Sequence, residues 1–154
     1  MRVLVVDDDA GQLGLLKALL EGWGHHVAMA ADGEAGLAQA ETFRPQVMIT
    51  DLHMPKVDGF QLMQRLRSEQ ALPPTIVLTG FGSVEVAVET VHKFGAFWFL
   101  EKPVKAESLR VLVDRATSQA ALTEATNHLT SASQTVLNGF MFYSYLYSKG
   151  EGHF

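Results

Sequence analysis

The chain has 154 residues, 47% of them hydrophobic and 19% charged, with a formal net charge of -5 and no cysteine. That length suits one ordinary core with a short appendage, and the apolar fraction is too high for a disordered chain. The missing cysteines exclude a disulfide scaffold, a thiolate metal site and a thiol nucleophile, and the acidity argues against a dominant nucleic-acid surface.

No run approaches the roughly 18 apolar residues of a membrane span, and the N-terminus runs into acid without a signal-peptide pattern. A cytoplasmic, membrane-free protein is expected.

Five short apolar runs alternate with stretches of helical spacing. Val3-Leu4-Val5-Val6 comes first, followed by a helix striped by Leu13, Leu16, Leu19 and Leu20, with Gly22 or Gly24 as its stop. Val27-Ala28-Met29-Ala30 leads to a helix from about Gly33 to Phe43, ended by Pro45. Val47-Met48-Ile49-Thr50 leads to a helix carrying Phe60, Leu62, Met63 and Leu66, ahead of a Pro73-Pro74 loop. Thr75-Ile76-Val77-Leu78 leads to one carrying Val84, Ala87, Val88 and Val91, closed by Gly95. Phe97-Trp98-Phe99-Leu100 leads to a last helix after Pro103, with Leu109, Leu112 and Val113.

Continuous rather than alternating hydrophobicity predicts strands buried on both faces, as a parallel sheet requires. Strand–helix alternation predicts an α/β fold with right-handed crossovers. In such a sheet, sites form at the carboxyl ends of the strands, near the point where strand order reverses.

Those ends carry chemistry. Asp7-Asp8-Asp9 follows the first run, Asp51-Leu52-His53-Met54-Pro55 the third, Thr79-Gly80 the fourth and Lys102-Pro103 the fifth. Carboxylates about 4 Å apart repel by several kcal/mol at an effective dielectric near 20. A hard divalent cation such as Mg²⁺ relieves the repulsion, and a carboxylate beside it, facing a lysine, can attack a phosphoryl group.

This order and spacing resembles the response-regulator receiver domain of two-component signal transduction over residues 1 to about 118. The resemblance rests on Val5-Val6-Asp7-Asp8-Asp9, Asp51-x-x-Met54-Pro55-x-x-x-Gly59, Leu78-Thr79-Gly80 and Lys102-Pro103. It implies a (βα)5 doubly wound parallel sheet of flavodoxin-like strand order 2-1-3-4-5. It implies that Asp51 accepts a phosphoryl group from a histidine kinase, so that the chain catalyses only its own phosphorylation and dephosphorylation. Asp7, Asp8, Asp51 and the backbone carbonyl of His53 would hold Mg²⁺. Thr79 would be the switch hydroxyl, Lys102 the phosphate-sensing ammonium and Phe99 the switch aromatic, moving inward behind Thr79. The family commonly holds the bond corresponding to Lys102-Pro103 cis. A homodimer through helix 4, strand 5 and helix 5, or through the tail, is also implied.

Three features depart from the pattern. Trp98 stands where many relatives carry a small or acidic residue, as a partner contact or as a plug over the sheet edge. The stretch Ala87–Gly95 is one residue longer than usual. Phe99 lacks a tyrosine hydroxyl.

Asp9 is expected to cap the first helix as much as to neighbour a metal. His25-His26, His92 and His128 read as solvated, and Gly80-x-Gly82 has Glu85 where a dinucleotide loop needs glycine. A haloacid-dehalogenase-type phosphatase shares the Asp-x-Asp start, but Ala10-Gly11 follows and the second acidic cluster is lacking.

Residues 119–154 form a charge-poor tail. Leu122, Leu129 and Val136 recur every seven residues, each followed three later by Ala125, Ala132 and Gly139, a short heptad-like seam. Residues 140–147 are aromatic-rich, and Glu151-Gly152-His153 reads as a vector-derived remnant. The segment from Thr79 to Phe97 most resembles receivers of transcriptional activators that drive an ATPase output domain; a hybrid kinase or a free-standing phosphorelay protein is the alternative.

Overall fold

A computed structural model of the chain describes residues 1–80 and 84–125. The strands are β1 Arg2–Val6, β2 His26–Ala30, β3 Val47–Asp51, β4 Thr75–Thr79 and β5 Trp98–Glu101. The helices are α1 Ala10–Gly22, α2 Gly33–Phe43, α3 Gly59–Ser68, α4 Val84–Phe94 and α5 Ala106–Ala125. All four strand pairings are parallel, in the order β2-β1-β3-β4-β5. This is the flavodoxin-like arrangement that the resemblance to receiver domains implies.

The central strands are the apolar runs. Every residue of β3 and β4 is buried, and β1 is buried from Val3 onward. The expectation of burial on both faces fails at β2. Only Ala30 is buried there and Met29 is 38% exposed, because β2 is an edge strand with one neighbour. His26 is the first residue of that strand and is exposed, as expected.

The helical stripes need smaller corrections. Leu13, Leu16 and Leu20 are buried on α1, while Leu19 is only half-buried. On α3, Leu62, Met63 and Leu66 are buried and Phe60 sits at the margin. On α4 the buried residues are Ala87, Thr90 and Val91. Thr90 escapes a stripe of apolar letters because its hydroxyl donates to the Val86 carbonyl at 2.7 Å, which lets a polar residue face the core.

The helix is unbroken from Val84 to Phe94, and Gly95 ends it at φ +79°, in the left-handed region glycine tolerates. α5 continues past residue 118 to Ala125, with Ala116 and Ala120 buried. By internal contacts, Met1–Ala121 forms one compact unit and Leu122–Phe154 a second. Gly82, His128, the aromatic run 140–147 and the heptad positions beyond Ala125 lie outside the described residues. Among the described residues no helix is long and apolar enough to cross a membrane.

Two Asp-Gly pairs shape the active edge. Asp32 and Asp58 are N-caps, accepting from the backbone N–H of Ala35 at 2.7 Å and of Gln61 at 2.9 Å. Gln61 closes a capping box by accepting from the Asp58 N–H at 3.0 Å. In both pairs the glycine that follows is crowded by backbone. A Cβ at Gly33 would strike the Val57 carbonyl, and one at Gly59 the Asp51 carbonyl. The loop from Leu52 to Asp58 is thereby held between the first turns of α2 and α3.

Candidate functional site

Because the strands are parallel, their carboxyl ends share one edge, and the order reverses between β1 and β3. Asp7 follows β1 there, Asp51 ends β3, Thr79 ends β4, and Lys102 follows β5. Oxygens of Asp7, Asp8 and Asp51 lie within 4.8 Å of one another. Asp7 is fully buried and Asp51 nearly so, whereas Asp8 faces solvent.

Lys102 reaches into this group. Its Nζ lies 2.7 Å from Asp51 Oδ2 and 3.4 Å from Asp7 Oδ2. The other Asp51 oxygen, Oδ1, accepts from the His53 backbone N–H at 3.3 Å. Asp7 Oδ1 accepts from the Asp9 N–H at 3.0 Å, while its buried Oδ2 makes no hydrogen bond. The Lys102-Pro103 peptide bond is cis.

Electrostatics follow from this crowding. Burial raises the Asp7 pKa above the ordinary carboxylate value, helped by the charge of Asp51 and opposed by the Asp9 N–H and by Lys102. For Lys102, burial works to lower the pKa, but hydrogen bonding to Asp51 and the charges of Asp51 and Asp7 outweigh it and raise the value. Three carboxylates against one ammonium leave two negative charges uncompensated when all are ionised. A hard dication fits that deficit. The donors are all oxygen, one buried oxygen makes no hydrogen bond, and Asp8 opens the cluster to solvent.

Asp9 does not share in the cluster. Its Oδ1 accepts from the Gly11 N–H at 2.9 Å and the Gln12 N–H at 3.2 Å, so this carboxylate is the N-cap of α1.

Thr79 is buried, and its hydroxyl donates to the Leu100 carbonyl at 3.4 Å, a long bond. Phe99 is 5% exposed, with its ring inward in this structure. Its ring stacks on that of Trp98, with centroids 5.4 Å apart, and Trp98 is itself buried. Of the two roles expected for Trp98, the exposed partner contact is therefore excluded, and the plug remains.

Sequence reasoning missed the crowding around Gly33 and Gly59. The repeated Asp-Gly pair at two helix starts was the available signal, since N-caps seldom need glycine next to them. It also missed Arg67, whose Nη1 donates to the Lys93 carbonyl at 3.0 Å. An arginine on an exposed helix face carries no mark of its partner in a distant segment.

A doubly wound sheet whose reversal point holds three carboxylates and a lysine defines a receiver-type signalling domain. Residues 3–114 match the family described as response regulator receiver domain, and the chain belongs to that family. This displaces the phosphatase alternative. The chain is 33% identical over 132 residues to the transcriptional regulatory protein ZraR of Escherichia coli O157:H7, covering 86% of this chain and 30% of that protein. It is 35% identical over 118 residues to FixJ of Bradyrhizobium diazoefficiens, covering 77% and 57%. Among solved structures it is similar to a receiver domain protein of Clostridium thermocellum, with a TM-score of 0.72 and 32% identity, covering 79% and 97%. It is also similar to NtrX of Brucella abortus in complex with ADP, with a TM-score of 0.77 and 28% identity, covering 84% and 30%. The chain thus spans about a third of the length of ZraR and NtrX.

Proposed function

We propose that Asp51 is a phosphoacceptor that takes a phosphoryl group from a phosphohistidine on a histidine kinase. The observation that carries this reading is the Lys102 ammonium 2.7 Å from Asp51, with Asp7 and Asp8 on its other side. An Asp51 carboxylate oxygen attacks phosphorus, the P–N bond to the kinase imidazole breaks, and an aspartyl phosphate forms. Lys102 transfers its contact to the incoming phosphoryl oxygens, and the His53 N–H keeps the carboxylate oriented. Asp7, Asp8, Asp51 and the His53 backbone carbonyl would hold Mg²⁺, which would supply positive charge for the phosphoryl oxygens. Water reverses the modification at the same centre, so the chain acts only on itself.

The switch is read from Thr79. Its bond to the Leu100 carbonyl is long, so a phosphoryl oxygen on Asp51 can draw the hydroxyl away at little cost. Phe99, next to Leu100 in β5, then follows into the space that Thr79 vacates. Shifting a two-state equilibrium from 1:99 to 99:1 needs about 5.5 kcal/mol of differential stabilisation. Charge-assisted bonds from Lys102 and Thr79 with the cation are of the right order.

The output is transcription, through a part of the protein beyond this chain; relatives named as transcriptional regulatory proteins support that, and NtrX, solved with ADP, supports an ATPase-type output. The domain proper is residues 1–118, with 119–154 as linker. The protein works in the cytoplasm, and this chain does not contact nucleic acid itself. A homodimer forms through α4, β5 and α5 or through the tail. Supporting the tail, Leu122 opens the heptad seam 46% exposed on α5.

The test is incubation with a small phosphodonor and Mg²⁺, followed by intact mass. One phosphoryl group is expected on the wild type and none on Asp51→Asn. Labelling of Asp51→Asn at the wild-type level would falsify the assignment.

A further inference from the structure

α2 gives no side chain to the carboxylate cluster, yet its first turn abuts the loop that carries His53. A Cβ on Gly33 would strike the Val57 carbonyl oxygen and stand 2.8 Å from the Val57 carbonyl carbon and Cβ. The φ of Gly33 lies outside the left-handed region, so it is the missing side chain, and not backbone freedom, that this position uses. The turn is itself held in place. The Asp32 carboxylate accepts from the Ala35 N–H at 2.7 Å, and the Asp32 carbonyl accepts from the Gly36 N–H at 2.9 Å.

The loop pressed against this turn is strained. Lys56 has φ +66°, in the left-handed region that a side chain makes costly. A residue stays there only where its surroundings fix it. Lys56 is exposed, so burial of its own side chain does not hold it. Its surroundings do: Met54 is buried on one side, and Val57 is seated on Gly33 on the other. The strained residue lies between two fixed ones, and His53 lies directly before the first.

We infer that Gly33 is a positioning residue for the cation site. By admitting the Val57 carbonyl it sets the path of the loop, and with it the place of the His53 carbonyl. Gly33 touches none of the ligand atoms and acts only through Val57 and Lys56. This rests on the reading of Asp7, Asp8, Asp51 and the His53 carbonyl as cation ligands, and adds a residue from a helix outside the cluster.

The test is calorimetric Mg²⁺ titration of the full chain without phosphodonor, alongside amide spectra. Gly33→Ala is expected to bind Mg²⁺ roughly tenfold more weakly, the low end for residues that support metal ligands, and to shift the His53 and Lys56 amides. Gly36→Ala is the control on the same helix. A Cβ there meets side chains alone, Val6 Cγ2 at 3.2 Å and Leu62 Cδ2 at 3.3 Å, so it should lower stability and leave Mg²⁺ affinity unchanged. Lys56→Gly in the Gly33→Ala background should recover part of the affinity, because glycine lets the loop yield before His53 moves. The same change in the wild-type background measures the effect of losing the lysine charge, and the double-mutant cycle isolates the rescue.

Wild-type Mg²⁺ affinity in a folded Gly33→Ala overturns the inference, as does weakened affinity with unmoved His53 and Lys56 amides. Should Gly33→Ala fail to fold, hydrogen exchange in the wild type decides. Coupling is reciprocal, so Mg²⁺ should slow exchange of the Gly36 amide, and an unchanged rate there overturns the inference. If the wild type binds no Mg²⁺, or Asp8→Asn binds it equally well, it is the cation reading that has failed, and the role of Gly33 falls with it.

Discussion

Gly59 lies directly against the backbone of Asp51. A Cβ built on Gly59 would strike the Asp51 carbonyl oxygen and stand 2.8 Å from the Leu52 Cα. The Gly59 N–H also donates to the Leu52 carbonyl at 3.0 Å, so the first turn of α3 is pinned to the end of β3. Backbone cannot rotate aside as a side chain can. Gly59→Ala should therefore cost about 2–3 kcal/mol in urea unfolding, in the range of overpacked cores, and slow phosphoryl labelling of Asp51. Gly14→Ala is the control, because nothing lies within 4 Å of a Cβ there. In mid-helix it should gain about 0.5–1 kcal/mol.

Asp9 separates a capping role from a metal role. Its carboxylate accepts from the Gly11 and Gln12 N–H groups, and only its backbone N–H reaches the cluster, at Asp7. Asp9→Ala should lower stability by about 1 kcal/mol and leave the Mg²⁺ requirement for labelling unchanged. A loss of Mg²⁺ response comparable to that of Asp8→Asn would place the side chain in the cation shell instead.

What the sequence made legible follows from where chain-local rules apply. The meeting of Asp7, Asp8, Asp51 and Lys102 was readable, because residues at successive parallel strand ends must share an edge, whereas the strand order and the β1/β3 reversal came only with the resemblance to the receiver family. The exposure of Met29 was not readable, since an apolar run does not announce that its strand lacks a second neighbour. Nor was the packing of Phe99 and Trp98, because neighbouring aromatics on one strand can be stacked or splayed, and the sheet's surroundings decide. Thr90 shows the same limit from the polar side. Its burial depends on a bond to Val86 that hydropathy does not count.

Asp7 makes apo-protein stability fall with rising pH. Its native pKa is raised, by burial first and the Asp51 charge next, so the native state holds this proton more tightly than the unfolded chain. The contribution to unfolding free energy therefore declines as pH rises from the ordinary carboxylate value of about 3.9 through the raised native value. Asp7→Asn removes that slope. Its unfolding free energy at pH 7 without cation should exceed the wild type's by about 1–2 kcal/mol, the scale of an unsatisfied buried acceptor. Saturating Mg²⁺ should then reverse the order. At a hundred times its dissociation constant it adds about 2.7 kcal/mol to the wild type and little to Asp7→Asn. Parallel stability–pH curves for the two proteins would remove Asp7 as the source.

Lys102 acts in the same direction, in a separate window on the alkaline side. Its native pKa is raised despite the opposing effect of burial, because Asp51 and Asp7 hold its charged form. Its contribution to stability is therefore complete below the unfolded lysine value of about 10.4 and is lost as pH rises through the native value. Lys102→Met leaves Asp7 and Asp51 facing each other without their shared cation, and the variant should be destabilised at pH 7 in the absence of Mg²⁺. With the competing ammonium gone, the same variant should bind Mg²⁺ more tightly than wild type, since the cluster then carries one more uncompensated charge. Phosphoryl labelling should persist, slowed, while the Thr79 amide stops responding to beryllofluoride, because the group that draws the phosphoryl end of the site together is missing. Calorimetric Mg²⁺ titration alongside the amide spectrum checks both halves. Weaker cation binding in Lys102→Met, or an intact Thr79 response, would show that the 2.7 Å contact with Asp51 is structural only.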